Sequence, residues 1–248
     1  MIVEIARVTS RQLLGRRRTL LMGLLALLPI LLAVIFRLGG AETGSIVGDR
    51  GFLEALFDAL LVTLVLPLVA LLFGTAAFGS EIEDGTVIYL LAKPVRRLTV
   101  VLGKLLVAIG ATVVLVGGST LLAGMIALLG VSDGQYLIIG YTVAVVAGAI
   151  IYGTVFVALG LVTGRALIAG LVYVLLWEGL LASLLPGIQV LSIRQYVLGI
   201  ADAAGVSGRI ASGTLPASSA LTLGAIVVLV AVVIGTRRLA AFEVPQAD

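Results

Sequence analysis

Glu81-Ile-Glu-Asp-Gly-Thr-Val-Ile-Tyr-Leu-Leu-Ala-Lys-Pro-Val-Arg-Arg-Leu-Thr-Val-Val-Leu-Gly-Lys104 is a polar interruption between two long apolar runs. Acids gather at its start (Glu81, Glu83, Asp84) and bases at its end (Lys93, Arg96, Arg97, Lys104). Between them Val87 to Ala92 is apolar, entered through Gly85-Thr86 and left at Pro94. A short helix fits this pattern. Acids suit the positive N-terminal end of its dipole and bases its C-terminal end, and the residue before a proline disfavours helix. Held at both ends by apolar runs, such a helix is a lever that can sit in a partner's groove and pass rigid-body motion onward. An ordinary loop helix resting on lipid headgroups fits the same residues.

The flanking runs decide the class. The chain of 248 residues is 61% hydrophobic and 12% charged. A soluble domain is about 45–50% apolar and about 25% charged. The excess is too large for one globular core, so the solvent is largely lipid. In lipid every backbone N–H and C=O bonds within the structure, which leaves helix bundles and closed barrels. The apolar runs are continuous rather than alternating, which selects helices.

Outward from the opening stretch, six spans are expected: Thr19 to about Phe36, about Ala59 to Phe78, Leu105 to about Leu129, Tyr136 to about Leu161, Ala166 to about Leu185, and about Ala220 to Gly235. Arg37 to Asp58 reads as a loop with several glycines and charges of both signs. Residues 186–219 are too apolar for open water, and their apolar runs are shorter than the roughly 20 residues a span needs. They read as a re-entrant or interfacial helical segment on the outer side. In residues 1–18, Glu4, Arg7, Arg11 and Arg18 share one helical face, opposite Ile2, Val3, Ala6, Leu13 and Leu14. That is an amphipathic surface helix, with Arg16, Arg17 and Arg18 against anionic lipid headgroups. The expected fold is a single all-α polytopic membrane domain over residues 1–248.

Orientation follows from lysine and arginine. The N-terminal bases, the cluster from Lys93 to Lys104, Arg165 and Arg237-Arg238 fall on one side of a six-span layout; Arg37, Arg50, Arg194 and Arg209 fall on the other. The first side is cytoplasmic, with both termini and residues 81–104.

The chain has no Cys and no His. Disulfides, thiol chemistry, His-ligated metals and His-based proton transfer are excluded within it, and no metal site is expected. Leu102-Gly103-Lys104-Leu105 lacks the first glycine and the hydroxyl of a phosphate-cradling loop. Glu178, beside Trp177, is the one carboxylate deep in a span. A lone acid forms no catalytic dyad within one chain, so no catalytic residue is expected. Two readings fit Trp177 and Glu178: a group in a transport path or at a subunit contact, and a hydrogen-bonded acid that packs the following outer segment.

Glu81-Ile-Glu-Asp-Gly85-Thr86, then Leu90-Leu91-Ala92-Lys93-Pro94-Val95-Arg96-Arg97, then Gly103-Lys104, resembles the permease pattern of ATP-binding cassette transporters of the type-2 exporter class. Arg96 departs from it, where the family often carries a small polar residue. The resemblance implies a permease subunit in a prokaryotic cell membrane. ATP and Mg would be bound by a separate cytoplasmic ATPase, with no cofactor in this chain. It further implies a second permease copy in a homodimer, with the substrate path along the dimer interface, lipid contact and no nucleic acid. Gly85 to Lys93 would be the coupling helix, docking on the ATPase through Val87, Ile88, Tyr89, Leu90 and Leu91. Glu81, Glu83, Asp84, Arg96 and Arg97 would orient it. The N-terminal surface helix would be the connecting helix. The alternative from another class is an ATP-independent channel or secondary transporter, which would want more intramembrane ionisable groups and internal repeats.

Overall fold

Helix is the only regular structure among the described residues, as the continuous apolar runs require. The computed structural model describes residues 9, 17–39, 46–83, 96–129, 135–181, 186–204, 206 and 215–241. The rods are α1 (Arg17–Leu38), α2 (Ile46–Glu83), α3 (Arg97–Ala127), α4 (Gln135–Val162), α5 (Ala166–Leu181), α6 (Ile193–Ala203) and α7 (Ala217–Ala240). A 3₁₀ turn, Pro186–Leu191, leads into α6. The apolar parts of α1, α2, α3, α4 and α7 run 20 to 31 residues, enough at about 1.5 Å per residue to cross a hydrocarbon core of about 30 Å. α5 is shorter and apolar, and the expected end of the fifth span at 182–185 lies outside the described residues.

Close contacts fix the direction of each rod. Ser119 of α3 donates to Ala26 O, and Arg37 Nε donates to Ile126 O at 3.0 Å, so α1 and α3 run parallel. A Cβ at Gly148 would meet Leu66, one at Gly74 would meet Phe156, and one at Gly160 would meet Thr75, so α2 and α4 run parallel. Gly224 lies on Ile151 and Gly235 on Leu161, which sets α7 parallel to α4. Leu71 lies on Gly170 while Thr75 and Gly79 share a cleft with Leu167 and Ile168, so α5 runs against α2. Gly153 lies on Ile109 and Gly124 on Ile138, which sets α3 against α4 and so against α2 as well. Thus α1, α3 and α5 point one way, and α2, α4 and α7 the other.

α4 is the most buried rod, and α1 and α7 the least. Gly74 is where α2 and α4 come closest: a Cβ there would lie 2.7 Å from Phe156 Cβ and 3.1 Å from its backbone carbon. Gly160 and Gly164 do less: Gly160 meets Thr75 at ordinary van der Waals distance and Gly164 faces open space. Several threonine hydroxyls inside the spans are satisfied locally. The hydroxyls of Thr75, Thr112, Thr120 and Thr154 each donate to the carbonyl four residues earlier.

Two boundaries differ from the sequence expectation. The loop expected over Arg37 to Asp58 is helical from Ile46 onward and continuous with the second span. Phe52, Leu53, Leu56 and Phe57 supply an apolar face there: Phe52 stacks on Phe36 at 3.9 Å, and Phe57 stacks on Tyr141 at 4.0 Å. Burial of that face outweighs the helix penalty of Gly48 and Gly51. The third span starts at Arg97 instead of Leu105, which puts Lys104 inside a helix.

The windings also vary. Leu56–Val65 of α2 and Tyr173–Leu181 of α5 are π-helical, a winding that often marks functional sites. Pro67 lies just past the first and lacks the N–H that would close on the carbonyl of residue 63.

Candidate functional site

The expected site residues fall at opposite ends of the bundle. Parallel α2 and α4 both end at the first of these, where α3 and α5 begin. Glu81 and Glu83 stand in the last turn of α2, and Arg96 and Arg97 at the start of α3. Asp84, Gly85, Thr86, Val87, Ile88, Tyr89, Leu90, Leu91, Lys93 and Pro94 lie outside the described residues, as does Arg16; Arg17 and Arg18 begin α1.

Glu81 and Lys104, the two ends of the opening stretch, meet. Lys104 Nζ lies 2.5 Å from Glu81 Oε2, donates to Ala77 O at 2.5 Å, and sits 4.5 Å from the centroid of the Phe78 ring. The lysine is 1% exposed and the glutamate 16%. A buried ammonium is tolerated only when paired and hydrogen-bonded, and here a carboxylate, a carbonyl and a ring face meet that need. The pair ties α2 to α3 at the base of residues 84–95. Arg96 is exposed beside it.

A cleft of about 260 Å³ opens at the same end, between α2, the end of α4 and the start of α5. Thr75, Gly79, Ile82, Thr163, Arg165 and Ile168 are among its walls. Arg237 and Arg238 in the last turn of α7 also belong to this end. Described cations at the other end are Arg37 and Arg194.

Glu178 occupies the opposite end of α5 and is 1% exposed. Its Oε1 accepts from Tyr173 Oη at 2.7 Å and from the Ile193 N–H at 2.8 Å. Its Oε2 accepts from Ser192 Oγ at 2.5 Å and from the Arg194 N–H at 3.3 Å. π winding explains the first contact, because it brings residues five apart onto one face. The others come from the start of α6. Ser192 holds the N-cap position in extended conformation without capping its own helix. Glu178 supplies the missing acceptor from another rod, a favourable place for a carboxylate at the positive end of the α6 dipole. Trp177 Nε1 donates to Leu191 O at 3.4 Å, and Tyr196 Oη to Val190 O at 2.6 Å.

Sequence reasoning did not find the partners of this cluster. Arg194, in the first turn of α6, pairs with Asp58 of α2 at 2.6 Å. Asp58 sits in the π-wound stretch, where Thr63 Oγ1 donates to its backbone carbonyl at 2.6 Å. The available signal was two opposite charges, each beside an apolar segment on the side expected to be outer. Among the described residues no group of three or more Asp or Glu could hold a metal ion.

No curated protein matches this chain. The profile for ABC-2 family transporter proteins matches residues 5–167, more than half of the sequence. That match takes in the opening stretch, the Glu81–Lys104 pair and the Asp58 position. The chain belongs to the ABC-2 family of transporter proteins.

Proposed function

We propose that the chain is the permease subunit of an ATP-driven exporter, worked by a separate cytoplasmic ATPase that binds ATP and Mg. α5 is the fifth of six spans, and both termini lie in the cytoplasm. The alternating rod directions support this, as do Arg96, Arg97, Arg165, Arg237 and Arg238 at one end. Residues 81–104 are the coupling segment. Val87, Ile88, Tyr89, Leu90 and Leu91 dock in a groove of the ATPase, with Glu83, Asp84, Gly85, Thr86, Lys93, Pro94, Arg96 and Arg97 around them. Arg16, Arg17 and Arg18 meet anionic lipid. A second copy of the chain completes the translocation path along the shared interface.

The observation that carries this reading is the buried Glu81–Lys104 pair. It holds both ends of residues 84–95 to two spans, so a pull on that segment moves α2 and α3 together instead of unwinding a loop. Glu81 thereby acts inside the permease, as the clamp beneath the docking helix. Glu178 anchors the outer segment by capping α6, the packing role rather than the transport-path role.

Co-expression with a candidate ATPase, followed by purification through a tag on one subunit, tests the proposal. The ATPase is expected to co-purify, and Tyr89→Ala with Leu90→Ala to reduce recovery of the complex and its transport-coupled turnover at least tenfold. Transport in liposomes driven by an ion gradient with no ATPase present would favour a secondary transporter instead.

A further inference from the structure

α6 is bound to its neighbours by contacts of two kinds. Toward α5 it offers a helix N-terminus to a carboxylate that is 1% exposed and holds four donors. Toward α4 and α7 it packs closely: Val197 lies on Gly148, and Gly199 leaves room for Leu215 O, which a Cβ there would approach to 2.6 Å. Withdrawal from any of these strands buried donors or opens a packed seam. Toward α2 its polar contact is Asp58–Arg194, whose side chains are 34% and 19% exposed. Both side chains keep part of their surface exposed, the carboxylate more than the guanidinium, whose Nε is buried without a hydrogen-bond partner, so the pair is less enclosed than the Glu178 anchor.

α2 is built asymmetrically as well. Its inner part is locked to α3 by Glu81–Lys104 and to α4 at Gly74. Its outer part, around the π-wound Leu56–Val65, buries Leu56, Phe57, Leu61, Val62 and Val65 in the apolar core, stacks on the rings of Phe36 and Tyr141, and reaches α6 through the Arg194 pair. Ring stacks tolerate offset and sliding; a charged hydrogen bond is either made or broken. Residues 58 and 81 are about 35 Å apart along one rod, so a tilt imposed at Glu81 is felt at Asp58.

We propose that Asp58 and Arg194 form the releasable outer clasp of the permease. In the transport cycle the outer part of α2 parts from α6 at this pair, while Glu178 keeps α6 on α5. Asp58 and Arg194 are thus positioning residues for opening the outer side. The inference rests on the ATPase-driven reading only for what moves the clasp, not for where it opens.

The chain has no native cysteine, so spin-label pairs can be placed cleanly in nanodiscs. Ala55→Cys with Ala203→Cys reports across the clasp; Leu176→Cys with Ala203→Cys reports across the Glu178 anchor. Expected from Arg194→Gln is a longer 55–203 population at least fivefold larger than in the parent, with 176–203 unchanged. Trapping the parent in complex with the ATPase and a non-hydrolysable ATP analogue should populate the same longer distance. An unchanged 55–203 distribution in Arg194→Gln, or an equal change in 176–203, overturns the clasp. A complex that traps nucleotide without moving 55–203 overturns its role in the cycle and leaves the permease reading intact. Failure of every ATPase to co-purify removes the permease reading, and Arg194→Gln in the chain alone still decides where α6 lets go.

Discussion

Lys104 and Glu178 are each 1% exposed in a membrane bundle, one at either end, and the protein accommodates the two charges differently. Lys104 meets an ionised side chain that keeps some contact with solvent. Among the described residues Glu178 meets no cation head to head; it is held by two hydroxyls and two backbone N–H groups at a helix start. The first arrangement joins two spans beside the proposed docking segment. The second builds a structural element, because α6 has no side-chain cap of its own. A buried charge thus serves as a clamp at one end and as a folding determinant at the other.

That contrast is tested most severely at Glu178. Glu178→Ala strands four donors in a buried site, and a loss of about 3–5 kcal/mol is expected in reversible unfolding from mixed micelles. Amide exchange at Ile193 and Arg194 should rise well before exchange at Val197 in the body of α6. Glu178→Gln should recover only part of the loss, since its amide oxygen can accept while its NH₂ faces donors. A parent-like unfolding midpoint for Glu178→Ala would mean that α6 is positioned by packing alone.

At the Glu81–Lys104 end the two partners should be unequal. Glu81→Ala leaves an ammonium at 1% exposure with a carbonyl and a ring for company, and about 2–3 kcal/mol should be lost. Lys104→Met removes the buried charge and keeps the apolar stem, leaving a carboxylate that water can reach. About 1 kcal/mol or less is expected there. Equal losses would mean that the pair is as open to solvent as a surface salt bridge, and the clamp beneath residues 84–95 would go with it.

These contacts were unequally legible in the sequence. Continuous apolar runs announce spans because the lipid core demands about 20 apolar residues each, and the polar break at Glu81–Lys104 stands out against them. The helix from Ile46 was hidden by Gly48 and Gly51, whose weak propensity reads as loop until Phe52 and Phe57 find their ring partners. Glu178 could be flagged as costly in a span, but Ser192 and Arg194 could not be assigned to it, since only the folded chain brings them to its carboxylate. Asp58 and Arg194 are 136 residues apart. Nor does any local pattern encode π winding, which arises where packing and a nearby proline override the usual hydrogen-bond ladder.

The smallest effect on stability belongs to the pair proposed to move. Asp58→Asn should cost about 0.2–1 kcal/mol at low salt, as for other partly exposed pairs. The cost should fade in about 1 M salt, where screening acts within a few ångströms. A double-mutant cycle with Arg194→Gln in mixed micelles measures this coupling directly. A contact that opens in every cycle cannot be among the strongest in the fold, because its stabilisation must be overcome each time. Coupling above about 2 kcal/mol that survives high salt would make Asp58–Arg194 a second permanent anchor. The two ends of α2 would then be alike, and release of the outer side would have to occur elsewhere in the bundle.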